Sequence, residues 1–181
     1  MPLVWVTGSS GVGKSTVCAL LKGWGELAVD ADWEGYSQWV DRTSGQVVAN
    51  PPDPVPAGWL ERFGWKISRA EIESLSRRTH DKTAFLCGSA ENEEVVRDLF
   101  DHMICLVADN QTIRDRLETR TTNAFGKHPE ELAAVLGWND DAEARYRRLG
   151  AAIIDGTQPP SDVVDAILTA AAKTLGNSSP G

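Results

Sequence analysis

The sequence predicts an α/β protein: a three-layer sandwich in which helices cover both faces of a five-stranded parallel sheet. Three observations carry this expectation. Short apolar runs without polar alternation recur along the chain, stretches with helical spacing separate them, and the first run passes directly into a glycine-rich turn. Strands that are apolar throughout are buried on both faces, and their alternation with helices indicates parallel β-α-β units. The expected strands are Leu3 to Thr7, Leu27 to Asp30, Thr83 to Cys87, Met103 to Val107 and Ala152 to Asp155. Helical patterns run over Lys14 to Trp24, Ser68 to Arg78, Glu93 to Phe100, Gln111 to Thr121, Pro129 to Leu149 and Ser161 to Leu175. With 181 residues the chain suffices for one domain with a substantial core, expected over 1–176; the stretch 177–181 is expected to be a disordered tail.

The glycine-rich turn reads Gly8-Ser9-Ser10-Gly11-Val12-Gly13-Lys14-Ser15, a complete G-x-x-x-x-G-K-S between a strand and a helix. In that setting backbone N–H groups turn onto phosphate oxygens and the helix N-terminus adds its positive end. Lys14 reaches the β- and γ-phosphates, and the Ser15 hydroxyl is placed for Mg²⁺. Gly8, Ser10, Gly11, Val12, Gly13, Lys14, Ser15 and Thr16 are therefore the expected nucleotide contacts, for ATP or GTP, and the fold is expected to be of the P-loop NTPase type. In such sheets ligands bind beyond the carboxyl ends of the strands, so the residues following each strand are the candidates.

After the second strand come Asp30 and Asp32, with Trp33 next in the chain. One carboxylate suits Mg²⁺ and the other a proton from a substrate hydroxyl; capping the following turn is the alternative use. Asp32 is the better candidate base and Asp30, with Ser15, the candidate metal group. A Pro- and Trp-rich insertion, 43–67, breaks the regular pattern and reads as an extended, irregular loop. Trp33, Trp39, Trp59 and Trp65 lie in and around it, out of seven tryptophans in the chain. They suit either a stacking surface for a ring-bearing substrate, with Trp33 and Trp59 as contacts, or a satellite hydrophobic cluster.

Beyond the third strand, Gly88 allows close backbone approach to a ligand, followed by Ser89, Glu91 and Asn92. After the fourth, Arg116 and Arg120 share one helix face, and the polar segment 121–128 with Gly126 and Lys127 follows. Cations on a mobile segment above a phosphate site are what phosphoryl transfer requires. Arg116 and Lys127 are candidate catalytic cations, while Arg114 reads as a solvated face. Thr157 and Pro159, in the turn after the last strand, are placed to frame a purine ring.

Composition narrows the partners. A net charge of −8 argues against a large nucleic-acid footprint, and no apolar run reaches membrane-spanning length. The chain leaves no room for a signal peptide before its first strand, and Cys18, Cys87 and Cys105 lie in apolar segments without metal-ligand spacing. A cytoplasmic protein with reduced thiols, monomeric or homodimeric and acting on a small molecule, is expected.

From Leu3 to Leu175 the chain resembles the small-molecule P-loop kinases, the group containing gluconate kinase, shikimate kinase and the adenylate-type nucleotide kinases. Shikimate kinases carry an Asp-x-Asp after the second strand, matched by Asp30-Ala31-Asp32; the resemblance implies Asp30 near Mg²⁺ and Asp32 at the acceptor hydroxyl. Arg120 and Lys127 have the seven-residue spacing of the family's lid, which implies Arg120 against adenine and Lys127 on the phosphates. Phe125 lies inside this interval, as in gluconate kinases. Arg69, five residues after Gly64, loosely matches a substrate arginine. Where shikimate kinases place an arginine on the substrate carboxylate, four residues before a tyrosine, this chain has Ala142 before Tyr146. The resemblance thus implies an ATP- and Mg²⁺-dependent kinase for a hydroxyl of a sugar, nucleoside or specialised metabolite. Two other readings stand beside it. One is a nucleotide-dependent switch, suggested by the D-x-x-G of Asp32 to Gly35 but lacking any N-K-x-D. The other is a nucleoside monophosphate kinase with Arg62, Arg69, Arg77 and Arg78 as its phosphate clamp.

Overall fold

Residues 2–53, 55–78 and 82–176 are described by the structure, a computed structural model. The tail 177–181 lies outside them. Five strands, β1 (Leu3–Thr7), β2 (Leu27–Asp30), β5 (Ala84–Cys87), β6 (His102–Val107) and β7 (Ala152–Asp155), form a parallel sheet in the order β2-β5-β1-β6-β7. Successive residues of β1 supply both faces. Val4 and Val6 join a cluster with Val17, Leu21, Ile113, Val135, Val164 and Ile167, whereas Leu3 and Trp5 join Ile72, Leu75, Met103 and Tyr146. All these side chains are buried, which is why no polar alternation marks the strands.

The first cluster is closed by α1 (Lys14–Gly23), α5 (Asn110–Thr119), α6 (Pro129–Asp140) and α8 (Pro160–Gly176). The second is closed by α3 (Arg69–Arg78), the single turn α4 (Glu93–Val96) and α7 (Ala142–Arg148). Two expected helices are shorter than their patterns. The stretch from Pro129 to Leu149 breaks at Asp141, where φ is −105° and ψ −3°. Asn139, Asp140 and Asp141 are poor helix formers, and acidic groups at a helix C-terminus oppose its dipole. After α4 the chain tightens into a 3-10 turn, Arg97–Leu99, and Phe100 leaves it to stack on Trp5 at 4.8 Å.

The expectation of an irregular loop holds over 43–53 and 55–58, but the end of the insertion, 59–67, folds into a short helix and a strand. Strands β3 (Ser37–Asp41) and β4 (Phe63–Ile67) pair antiparallel, Trp39 opposite Trp65, and a short helix, α2 (Trp59–Arg62), leads into β4. A long Pro-rich connection separates the two strands, so no tight-turn signal announces the hairpin. Trp39, Trp59, Trp65 and Phe63 pack edge-on or stacked at 4.0–5.8 Å, a satellite cluster. The hairpin docks on the segment after β5. The Asn92 side chain bonds both the N–H and the carbonyl of Ile67, Glu91 N–H donates to the Trp65 carbonyl, and Arg42 forks onto the Glu91 carboxylate.

Trp5 joins these layers, because its Nε1 donates to the Gly88 carbonyl at 2.8 Å from a fully buried position. Trp5→Phe keeps an aromatic ring but leaves that carbonyl unpaired. It should destabilise the protein by about 1–3 kcal/mol, seen as a lower urea midpoint at unchanged m-value.

Candidate active site

The phosphate loop is shaped by contacts that only glycine tolerates. At Gly8, φ is +135° and an added Cβ would stand 2.4 Å from the Leu106 carbonyl oxygen. The loop therefore lies tight against β6 as it leaves β1. Gly13, also left-handed, begins α1, and Lys14 is its first residue. The Lys14 ammonium folds back over the loop to donate to the Gly8 and Ser9 carbonyls at 2.8 and 2.9 Å. Burial pulls Lys14 below the ordinary lysine range, the carboxylates of Asp32 and Asp30 counter this, and Arg120 reinforces it. Ser15 and Thr16 are exposed at the start of the helix.

Two arginines of α5 brace the loop. Arg116 donates to the carbonyls of Val12 and Gly156, both at 3.0 Å, so it ties the loop to the turn after β7. Its bonds are to backbone, and the structure gives it the position of a strut. Arg120, at the end of α5, reaches Ser10 Oγ at 3.4 Å and the carbonyls of Asn123 and Phe125. Burial lowers its pKa, and the charges of Asp32 and Glu131 oppose that. In the turn after β7, Thr157 bonds the Asp155 carboxylate through its N–H and hydroxyl, and the Pro159 carbonyl receives Asp162 and Val163 N–H at the start of α8.

Across the cleft, Asp30 ends β2 and is 8% exposed. Its Oδ1 accepts the N–H groups of Asp32 and Trp33 at 3.1 and 3.3 Å, so Asp30 organises the turn that presents Asp32. Strand β5 lies between β2 and β1, and Gly88 at its end makes the pair reachable. An added Cβ there would meet the Ala31 side chain at 2.5 Å, so the close approach is to the Asp30-Ala31-Asp32 turn. Asp32 opens to solvent, but the protein mass around it lifts its carboxyl above the ordinary range. Lys14 and a hydrogen bond from Trp65 Nε1 at 2.9 Å pull it down, Asp30 pushes it up, and Arg120 lowers it.

Lys127 is exposed and Trp33 is 65% exposed, while Trp59 is stacked on Phe63. Arg69 is engaged by Asp98, Glu73 and the Val95 carbonyl. Arg62 and Arg78 bond Asp41 and the Tyr36 hydroxyl. Three of the four expected clamp arginines, Arg62, Arg69 and Arg78, are thus each taken up by a separate protein partner. Two groups escaped the sequence reading. Glu131, 5% exposed, accepts Gly126 N–H at 2.7 Å and holds the segment 121–128 from α6. Buried Glu93 accepts the Tyr146 hydroxyl at 2.6 Å, which in turn accepts Thr7 Oγ1 at 3.1 Å, linking the end of β1 to α7. Each is an acidic residue in an acidic helical stretch, and only tertiary packing distinguishes it.

No family model matches the chain. Shikimate kinase 2 of Yersinia pseudotuberculosis is 31% identical, over 91% of this chain and 92% of that protein. Among solved structures, shikimate kinase from Acinetobacter baumannii in complex with shikimate is similar at TM-score 0.63 and 18% identity, over 99% of this chain and 96% of that one. A gluconokinase from Sinorhizobium meliloti gives TM-score 0.58 at 19% identity, over 97% and 94%. At those identities the structural matches establish the fold. The 31% identity to the Yersinia enzyme, running over nearly the full length of both chains, establishes more: this chain belongs to the shikimate kinase family of small-molecule P-loop kinases.

Proposed function

We propose that Asp32 accepts the proton of the acceptor hydroxyl while Lys14 and Arg120 neutralise charge on the transferring γ-phosphate. Family membership gives the reaction around that assignment, an ATP-dependent, Mg²⁺-using transfer of phosphate to a hydroxyl of a small molecule. The observation that carries the residue assignment is that Lys14 and Arg120 both bond the phosphate loop, at Gly8, Ser9 and Ser10, within the electrostatic influence of Asp32.

The residues fit a magnesium ion. Ser15 offers an exposed hydroxyl, and among the described residues no donor reaches Asp30 Oδ2. Two protein groups beside substrate phosphates are the donor set this cation takes, and when bound it offsets phosphate charge. Arg116 fixes the loop that cradles the phosphates, and the turn bounded by Thr157 and Pro159 borders the nucleotide. The segment 121–128 serves as the lid, hinged at Arg120 and Glu131 and bringing Lys127 over the phosphates.

The acceptor follows from a missing charge. The position implied for binding a substrate carboxylate, Ala142, is 2% exposed and packed in the core. We infer a hydroxyl acceptor lacking that carboxylate contact, drawn from sugars, nucleosides or specialised metabolites. We infer a cytoplasmic setting, in which the three free thiols would stay reduced. Among the described residues no helix is long and apolar enough to cross a membrane. A panel of such acceptors, shikimate included, incubated with γ-labelled ATP should show transfer to one of them and little to shikimate. Efficient transfer to shikimate would overturn the acceptor assignment.

Two variants test the residue roles. Lys14→Ala should abolish transfer, and Asp32→Asn should lower kcat about 10²–10⁴-fold while ATP still binds by calorimetry. Because a base works ionised, activity should fall as pH drops through the Asp32 pKa. That acid limb should lie above the ordinary carboxylate value of about 3.9 and be absent from Asp32→Asn.

A further inference from the structure

The indole of Trp65 is the one donor, among the described residues, that bonds the Asp32 carboxylate. It reaches Oδ1 at 2.9 Å from a strand outside the main sheet. The ring is itself fixed. It packs edge-on against Trp39 at 5.2 Å, and its backbone carbonyl accepts Glu91 N–H at 2.9 Å. On the other side, Asp30 Oδ1 accepts the Asp32 N–H at 3.1 Å. The main chain and one carboxylate oxygen of Asp32 are therefore both held, while no donor among the described residues reaches Oδ2.

The chemistry of the donor matters. A carboxylate that must take up a proton loses basicity when paired to an arginine or lysine, because the cation stabilises the ionised form strongly. An indole N–H is neutral, so it orients the carboxylate with a far smaller penalty. It is also rigid, with only two side-chain torsions, and the aromatic cluster of the hairpin removes most of that freedom.

We propose that Trp65 is a positioning residue for Asp32: its indole N–H clamps Oδ1 and turns Oδ2 toward the acceptor hydroxyl. The proposal rests on Asp32 being the base. It makes the β3-β4 hairpin part of the transfer machinery, although the hairpin contributes no atom to the phosphate site. A tryptophan that only satisfies its own N–H would have no such consequence.

The test is Trp65→Phe, which keeps an aromatic ring against Trp39 and deletes the donor. At neutral pH kcat should fall about tenfold with KM for ATP unchanged, a split that a merely structural role would not give. In the Asp32→Asn background the same substitution should add no further loss, because the two residues act as one unit. If Trp65→Phe does not fold, as judged by circular dichroism, benzothienylalanine at 65 replaces the N–H by sulfur in the same bicyclic shape and should give the same fall in kcat. An unchanged kcat, with Asp32→Asn inactive, overturns the positioning role and leaves the base assignment standing. Full activity of Asp32→Asn overturns both.

Discussion

Water reaches only 9% of Lys14, and an ammonium taken out of water is costly unless dipoles or charges replace its hydration. The carbonyls of Gly8 and Ser9 supply the first replacement and the field of Asp32 and Asp30 the second. Much of the architecture follows from that requirement. The loop can fold over the lysine only because Gly8 lies flat against the Leu106 carbonyl. The two aspartates can act on it from beyond β5 only because Gly88 and Ala31 are both small. The arginines then divide the remaining work: Arg116 has its charge taken up by loop carbonyls, while Arg120 stays under the influence of Asp32 and Glu131.

What the sequence made legible is what local chemistry dictates. The five parallel strands follow from continuous apolar runs, and β1, β2 and β7 match their expected bounds. The phosphate loop is readable because its function constrains consecutive backbone positions. Residues whose role depends on a partner far along the chain were not readable. Trp65 meets Asp32 across 33 positions and Tyr146 meets Glu93 across 53. The tryptophans were visible as a cluster, but whether they face a ligand or one another is decided by strand pairing, and β3 and β4 carry no turn signal between them. Arg69 shows the converse. Its spacing from Gly64 suits a substrate contact, yet Asp98 and Glu73 lie within reach and hold it.

The main sheet and the hairpin also differ in what stabilises them. The strands of the sheet are covered by two buried clusters. The two hairpin strands pair only with each other, apart from an isolated bridge between Val40 and Val47, and isolated two-stranded ribbons are marginal in water. Its order depends on the Asn92 clasp, the Glu91 contacts and its aromatic side chains.

That dependence gives the protein two levels of melting. Segments joined by few buried contacts open at lower free energy than the core that carries them. Backbone amides of β4 should thus exchange with solvent through a local opening that leaves the phosphate loop folded. During such an opening the phosphate loop would stay folded while Asp32 is released from its indole, so, with Asp32 and Trp65 acting as proposed, competence for transfer would be more fragile than affinity for ATP.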